Sequence, residues 1–197
     1  LYQTDLRKPS LTVWVLDVSG SMEGTPLDQL KEAMDLLLDP ETAALNLLQP
    51  SPRDVTIILP FSNDVQPPLT LQGASDADLA EARRYVARLQ AGGGTDLYYA
   101  IAQALEQMQP YADRNELFDY LPAIVAMTDG ASDTTNRQPL LDWMATLSFG
   151  RDVPIHAIAF GDADETQLRE LNDATIGRLF SAGGDLAAAL RSAKGYN

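Results

Sequence analysis

Short apolar segments alternate with amphipathic segments along almost the whole chain. Residues 11–16 (LTVWVL) are continuously apolar and rich in β-branched and aromatic side chains, which is typical of a strand buried on both faces of a parallel sheet. Similar patterns predict further strands at residues 54–61, 123–127, 153–160 and 178–181, and a short edge strand at residues 66–72. This alternation predicts an α/β fold: a doubly wound, mostly parallel sheet of about six strands, with one antiparallel edge strand and helices on both faces.

Apolar residues at helical spacing define the segments between the strands. The first helix is predicted to begin with Thr25 as its N-cap and Pro26 as its first residue, and a second helix to begin with Ser75 as its N-cap. A third helix follows three glycines and has Thr95 at its N-terminus. The remaining helices are predicted at residues 139–147, 164–172 and 186–193.

The length of 197 residues fits a single domain, residues 1–197 with a core from about residue 11 to 193. Its first residue is Leu1 and not methionine, so we expect the segment to have been excised from a longer chain. No apolar stretch approaches the roughly 20 residues of a membrane span, so no direct membrane insertion by this segment is expected. Localisation stays open, including an extracytoplasmic or membrane-anchored one through missing parts of the chain.

Charge and cysteine content narrow the possible partners. The chain has 28 acidic and 14 basic residues, a net charge of −14, which repels nucleic acid. It has no cysteine, which excludes disulfides, zinc ribbons and thiol catalysis.

The first turn lacks the glycine pattern of a dinucleotide site, and no lysine follows a phosphate-binding loop. Neither a nucleic-acid partner nor a nucleotide cofactor is therefore expected.

Three loops predicted at the carboxyl ends of strands carry carboxylates and hydroxyls. In open α/β sheets, ligands bind in the crevice beyond these strand ends. Alternate residues of an extended turn point the same way, so three of the oxygens can converge on one ion. Oxygen ligands without thiolate or imidazole suit Mg²⁺, and also Mn²⁺ or Ca²⁺. The candidate metal ligands are Asp17, Ser19 and Ser21 of the first loop, Thr95 of the second and Asp129 of the third.

The three motifs together resemble the metal-ion-dependent adhesion site of von Willebrand factor type A domains. They are D-x-S-G-S at residues 17–21, a threonine after glycines at 95, and T-D-G at 128–130. The resemblance extends from residue 11 to about residue 193 and includes F-S-x-x-V at 61–65 and A-F-G at 159–161. It is greatest to bacterial members of the family.

The resemblance implies how the five residues would share an ion. Ser19, Ser21 and Thr95 would contact the metal by their hydroxyls, whereas Asp17 and Asp129 would act mainly through bound waters. Because neutral hydroxyls leave much of the ion's charge uncompensated, an open position favours an anionic oxygen from outside. In this family that oxygen typically comes from an Asp or Glu carboxylate of a partner protein.

The implied function is a metal-dependent protein-binding module for adhesion or assembly, and not an enzyme. Two alternatives stay open: a docking subunit of an ATPase or chelatase-type complex, and a metal-dependent hydrolase in which the ion activates water. Proton transfer in such a hydrolase would fall to Asp17, Asp129 or Glu23, although Glu23 is more simply a solvated loop charge. His156 lies inside a predicted strand and is expected to be structural. Asp96 departs from the family pattern, and we expect it to favour the adjacent helix N-terminus over the ion.

Overall fold

The computed structural model describes residues 8–160, 163, 165–181 and 186–193, and within them six strands form one sheet. The strands lie in the order β3-β2-β1-β4-β5-β6, and every neighbouring pair is parallel except β2 with β3, which is antiparallel. This confirms the predicted fold class. The strands are β1 (Ser10–Asp17), β2 (Val55–Phe61), β3 (Leu69–Gln72), β4 (Leu121–Thr128), β5 (Ile155–Ala159) and β6 (Leu179–Ser181).

Seven α-helices of the described residues cover both faces of this sheet, and two short 3₁₀ turns, Gly20–Met22 and Leu117–Asp119, lie in the connections. The part of the chain that the structure describes contains no helix long and apolar enough to cross a membrane. The helices are α1 (Thr25–Leu38), α2 (Pro40–Leu45), α3 (Asp76–Ala87), α4 (Leu97–Asp113), α5 (Arg137–Thr146), α6 (Glu165–Asp173) and α7 (Leu186–Ala193).

Side chains that alternate along the central strand separate the core into two layers. Val13 and Val15 of β1 pack with the apolar faces of α4, α5 and α6, whereas Trp14 and Leu16 pack with those of α1, α3 and α7. All eight residues of β1 are buried. Because β1 is covered on both faces, most of its side chains have to be apolar, which explains the apolar run that marks it in the sequence.

The register of the parallel strands brings their carboxyl ends to one edge of the sheet. Asp17 at the end of β1 is opposite Phe61 at the end of β2, and Thr128 at the end of β4 is opposite Ala159 at the end of β5. The backbone N–H of Phe160 also donates to the carbonyl of Thr128 at 2.9 Å. We call this rim the carboxyl edge, and it is where the candidate metal ligands leave the strands.

Several local predictions require correction. Thr25 is the first residue of α1 and not its N-cap, because Gly24 takes the cap position with a φ of 84°. Helix α2 was not predicted. The edge strand begins at residue 69 and not at 66, since Pro67 and Pro68 have no N–H to donate to a sheet. The N-cap of α4 is Asp96, one residue after Thr95.

Other boundaries agree with the sequence patterns. Ser75 caps α3, where its hydroxyl accepts a hydrogen bond from the backbone N–H of Asp78, as predicted. Helix α6 begins at Glu165, and the predicted start at Asp164 lies outside the described residues, as does Gly161 of the A-F-G motif.

Candidate metal centre

The first loop leaves β1 at Asp17 and turns immediately into the 3₁₀ turn Gly20–Met22. The backbone N–H of Val18 still donates to the carbonyl of Phe61 at 2.8 Å, so the loop begins from a fixed position on the sheet. The Ser19 hydroxyl lies 3.1 Å from that of Ser21, as expected for alternate residues that point the same way.

Ser21 joins the first loop to the third. Its hydroxyl donates a 2.8 Å hydrogen bond to a carboxylate oxygen of Asp129, 108 residues further along the chain. Ser21 is exposed and Asp129 is partly exposed, whereas Ser19 is buried. The hydroxyls of the two serines and the Asp129 carboxylate therefore form a continuous group of oxygens that is open to solvent on one side.

Asp17 lies beneath this group with none of its surface exposed. Its carboxylate accepts hydrogen bonds from the backbone N–H of Ser19 at 2.8 Å and from the hydroxyl of Thr128 at 2.5 Å. Burial raises the pKa of the Asp17 carboxyl, and the nearby Asp129 charge adds to this, while the hydrogen bonds from Thr128 and Ser19 oppose it. Among the described residues, no Lys, Arg or His forms an ion pair with this carboxylate.

The second loop carries Thr95 and is held against the first by its glycines. The backbone N–H of Gly20 donates to the carbonyl of Gly93 at 2.9 Å, and the N–H of Gly94 donates to the Asn63 side chain at 2.7 Å. A Cβ at Gly94 would lie 2.7 Å from the Asn63 amide nitrogen, so a larger residue there would displace the side chain that binds the loop. Gly93 has a φ of 83°, which also favours glycine.

Asp96 turns away from these oxygens, as expected. One of its carboxylate oxygens accepts from the backbone N–H of Tyr99 at 2.9 Å, which caps α4, and the other accepts from the Asn136 side chain at 2.6 Å. Both oxygens are thus engaged by hydrogen-bond donors. Asp96 does not add its charge to the group formed by Ser19, Ser21 and Asp129.

The chemistry of this site suits a hard divalent cation. A buried carboxylate without a cationic partner is unfavourable, and a positive ion near Asp17 would offset that cost. The remaining oxygens are mostly neutral hydroxyls, and the described residues contain no group of three or more His, Cys, Asp or Glu that could hold a metal by charged and imidazole ligands alone. A cation at this site would therefore depend on Ser19, Ser21 and Thr95 as much as on the carboxylates.

The remaining candidates lie elsewhere or in a secondary position. His156 is buried on β5, where its Nδ1 accepts a hydrogen bond from the backbone N–H of Arg178 at 3.1 Å. Three residues of β5 separate it from the carboxyl edge. Burial, followed by the nearby Arg178 charge, lowers its pKa to about 4. Glu23 is exposed at the end of the first loop.

Residues that support the site were not all evident from the sequence. Thr128 belongs to the T-D-G motif, yet its hydrogen bond to Asp17 depends on the register of β1 against β4. Asn63 and Ser132 bind the glycine loop and the residues after it, but they lie 31 and 35 positions away along the chain from their partners. No local pattern marks such long-range contacts.

The family model described as von Willebrand factor type A domain matches residues 12–179. The chain is 32% identical over 170 residues to human inter-alpha-trypsin inhibitor heavy chain H6, which covers 81% of this chain and 12% of that protein. It is 31% identical over 136 residues to bovine inter-alpha-trypsin inhibitor heavy chain H4, which covers 67% of this chain and 14% of that protein. The chain thus spans about an eighth of the length of these relatives.

Solved structures share the same fold at low sequence identity. A von Willebrand factor type A protein from Catenulispora acidiphila superposes with a TM-score of 0.73 and 20% identity, and the match covers 94% of this chain and 42% of that one. At this level of identity the likeness concerns the fold alone.

Proposed function

The chain belongs to the von Willebrand factor type A domain family, whose members are typically protein-interaction modules, and we propose that it binds a partner protein through a divalent cation at the carboxyl edge. The proposal rests mainly on one observation: Ser19, Ser21 and Asp129, from loops more than 100 residues apart in sequence, form a continuous chain of polar contacts above buried Asp17. Closing a turn within the first loop would not require Ser21 to bond a carboxylate of the third loop.

Mg²⁺ is the proposed ion, and Mn²⁺ or Ca²⁺ would use the same oxygens. Ser19, Ser21 and Thr95 would hold it by their hydroxyls, with Asp17 and Asp129 acting mainly through water. The existing hydrogen bonds support this division of roles. Asp17 is fully buried behind Ser19 and already accepts two hydrogen bonds, while the hydroxyl of Ser21 faces solvent.

The partner is proposed to supply an Asp or Glu carboxylate to the open side of the ion. The ion would provide a positive charge where the surrounding chain is acidic, so an anionic group would be attracted at contact and repelled only at longer range. At physiological ionic strength the Debye length is about 8 Å, which limits that longer-range repulsion from the net charge of −14. Adhesion and assembly are both compatible with this mode of binding.

Binding without catalysis is the proposed outcome at this site. Hydrolysis would require a group that accepts a proton from water near the ion. The single histidine of the chain lies on β5 with its pKa lowered to about 4, and Asp96 is engaged by the N-terminus of α4 and by Asn136. Of the carboxylates that remain, Asp17 and Asp129 are assigned to the ion itself, and Glu23 is exposed at the end of the first loop.

The direct test is partner capture with and without the ion. A partner would be found by crosslinking in the source organism's extract and its affinity measured by surface plasmon resonance. The proposal predicts binding in Mg²⁺, loss of binding in EDTA, and recovery when Mg²⁺ is returned. A Ser19→Ala/Thr95→Ala double variant should lose binding in Mg²⁺, whereas Ser148→Ala, at an exposed turn residue, should retain it. Undiminished binding in EDTA or by the double variant would refute the proposal.

A further inference from the structure

The second and third loops are joined to each other by their backbones, away from the oxygens proposed to face the ion. The backbone N–H of Asp133 donates to the carbonyl of Thr95 at 2.9 Å, and the N–H of Leu97 donates to the Ser132 hydroxyl at 2.9 Å. The Ser132 hydroxyl lies 2.9 Å from the carbonyl oxygen of Asp133 and 3.3 Å from that of Thr95. Residues of the third loop thus hold the carbonyl of Thr95 and the start of α4 that follows it.

Helix α6 fixes the third loop in turn. The side chain of Gln167 accepts from the backbone N–H of Ser132 at 2.7 Å and donates to the carbonyl of Ser132 at 3.2 Å. A single side-chain amide thereby satisfies both backbone groups of one residue. Ser132 is 6% exposed and Gln167 is half-buried, so water competes only weakly for these bonds.

Among the described residues, the hydrogen bonds to Thr95 go to its backbone carbonyl. They hold the loop and not the Thr95 hydroxyl itself. Its placement relative to Ser21 and Asp129 therefore depends on how rigidly its loop is held. The glycines that precede it restrain one side only, through Asn63 and Gly20. The other side is held by Ser132 and Asp133 of the third loop, and by Ser62, whose carbonyl accepts from the backbone N–H of Asp96 at 2.9 Å.

We infer that Ser132 and Gln167 are positioning residues for the metal site, and that together they hold the Thr95 loop at the spacing from Asp129 that an ion requires. This inference rests on the proposed function. Neither residue would contact the ion. Residues that hydrogen-bond to metal ligands without contacting the metal typically contribute about 10-fold to 100-fold to metal affinity.

The test is isothermal titration of Mn²⁺ into the unmutated domain and five single variants, at a temperature where circular dichroism shows each to be folded. Ser132→Ala removes the acceptor for Leu97, and Gln167→Leu removes both bonds to Ser132. Each should weaken Mn²⁺ binding by about 10-fold or more. The matched controls are Ser148→Ala and Gln138→Leu, which change exposed residues outside the three loops, and both should bind as the unmutated domain does.

Rescue separates positioning from general destabilisation. Ser132→Thr keeps the hydroxyl and should restore affinity close to that of the unmutated domain. If Ser132→Ala unfolds, Gln167→Leu still decides the question, because it alters the surface of α6 and leaves the loop sequence intact. The inference is overturned if both variants bind Mn²⁺ as tightly as the unmutated domain, if Ser132→Thr loses as much as Ser132→Ala, or if the controls lose as much as the variants. Failure of the unmutated domain to bind Mn²⁺ would instead refute the proposed function, and the positioning role with it.

Discussion

Acidification should destabilise the domain through His156, by an amount that follows from its surroundings. The side chain is 8% exposed, and its Nδ1 accepts a hydrogen bond from the backbone N–H of Arg178, which a protonated imidazole could not do. Burial is the larger cause, and the charge of Arg178 the smaller, of a pKa lowered from 6.5 to about 4. His156 also lines a cavity of about 330 Å³ near the amino ends of the strands, and Lys8 and Asp152 are the charged residues that line it with His156.

The sign and size of the effect follow from proton linkage. Above pH 6.5 the imidazole is neutral in both states and has no effect on the pH dependence. Between pH 6.5 and about 4 only the unfolded state binds the proton, so the stability of the native state falls as the pH falls, and below about pH 4 the loss is complete. A tenfold change in proton affinity is worth about 1.4 kcal/mol, so the loss amounts to about 3 kcal/mol.

Urea unfolding across this pH range tests the prediction, with His156→Asn as the matched control. Asparagine keeps an oxygen where Nδ1 accepts from Arg178 but does not titrate. Titration of the 28 acidic residues affects both proteins alike, so the difference between their free energies of unfolding isolates the imidazole. Relative to His156→Asn, the free energy of unfolding of the wild type should fall by about 3 kcal/mol between about pH 7 and pH 4. A difference that stays constant with pH would refute the reasoning.

Three substitutions test other parts of the fold. Asp54→Ala should lower the free energy of unfolding by about 3 kcal/mol, since it leaves the buried N–H groups of Ser10 and Ser51 without their carboxylate acceptor, and denaturant unfolding that shows less than about 1 kcal/mol would contradict this. Ser75→Ala should cost about 1 kcal/mol through loss of the cap of α3, measured in the same way, and an unchanged midpoint would argue against that cap. Leu47→Gly should raise the melting temperature, because Leu47 is 66% exposed with a φ of 58°, and a lower melting temperature would contradict this.

The sheet could be predicted from the sequence because its buried strands are mostly apolar. In β1 the covering of both faces favours apolar side chains, and between Ser10 and Asp17 only Thr12 is polar, so the end of the strand is visible in the residue types. Helix α2 was missed for the opposite reason. It has six residues and only Ala43 is buried, so there is no apolar periodicity to detect, although Asp39 and Pro40 are typical of a helix start.

The candidate ligands could be named from motifs, but the contacts that hold them could not. The D-x-S-G-S spacing predicts that Ser19 and Ser21 point the same way, and their hydroxyls are 3.1 Å apart. The contacts of Ser132 with Leu97 and Gln167 depend on how α6 packs, which is decided by the tertiary structure and not by neighbours in sequence. The identity of the metal ligands stays a prediction.

Titration of Mg²⁺ into the metal-free domain by calorimetry tests the central claim most directly. The unmutated domain should bind one Mg²⁺, and Asp17→Ala should abolish this binding while circular dichroism still shows a folded α/β domain. Ser21→Ala, which changes an exposed hydroxyl, should weaken binding with little effect on stability. Equal Mg²⁺ affinity in the unmutated domain, Asp17→Ala and Ser21→Ala would contradict the account, as would the absence of any Mg²⁺ binding by the unmutated domain.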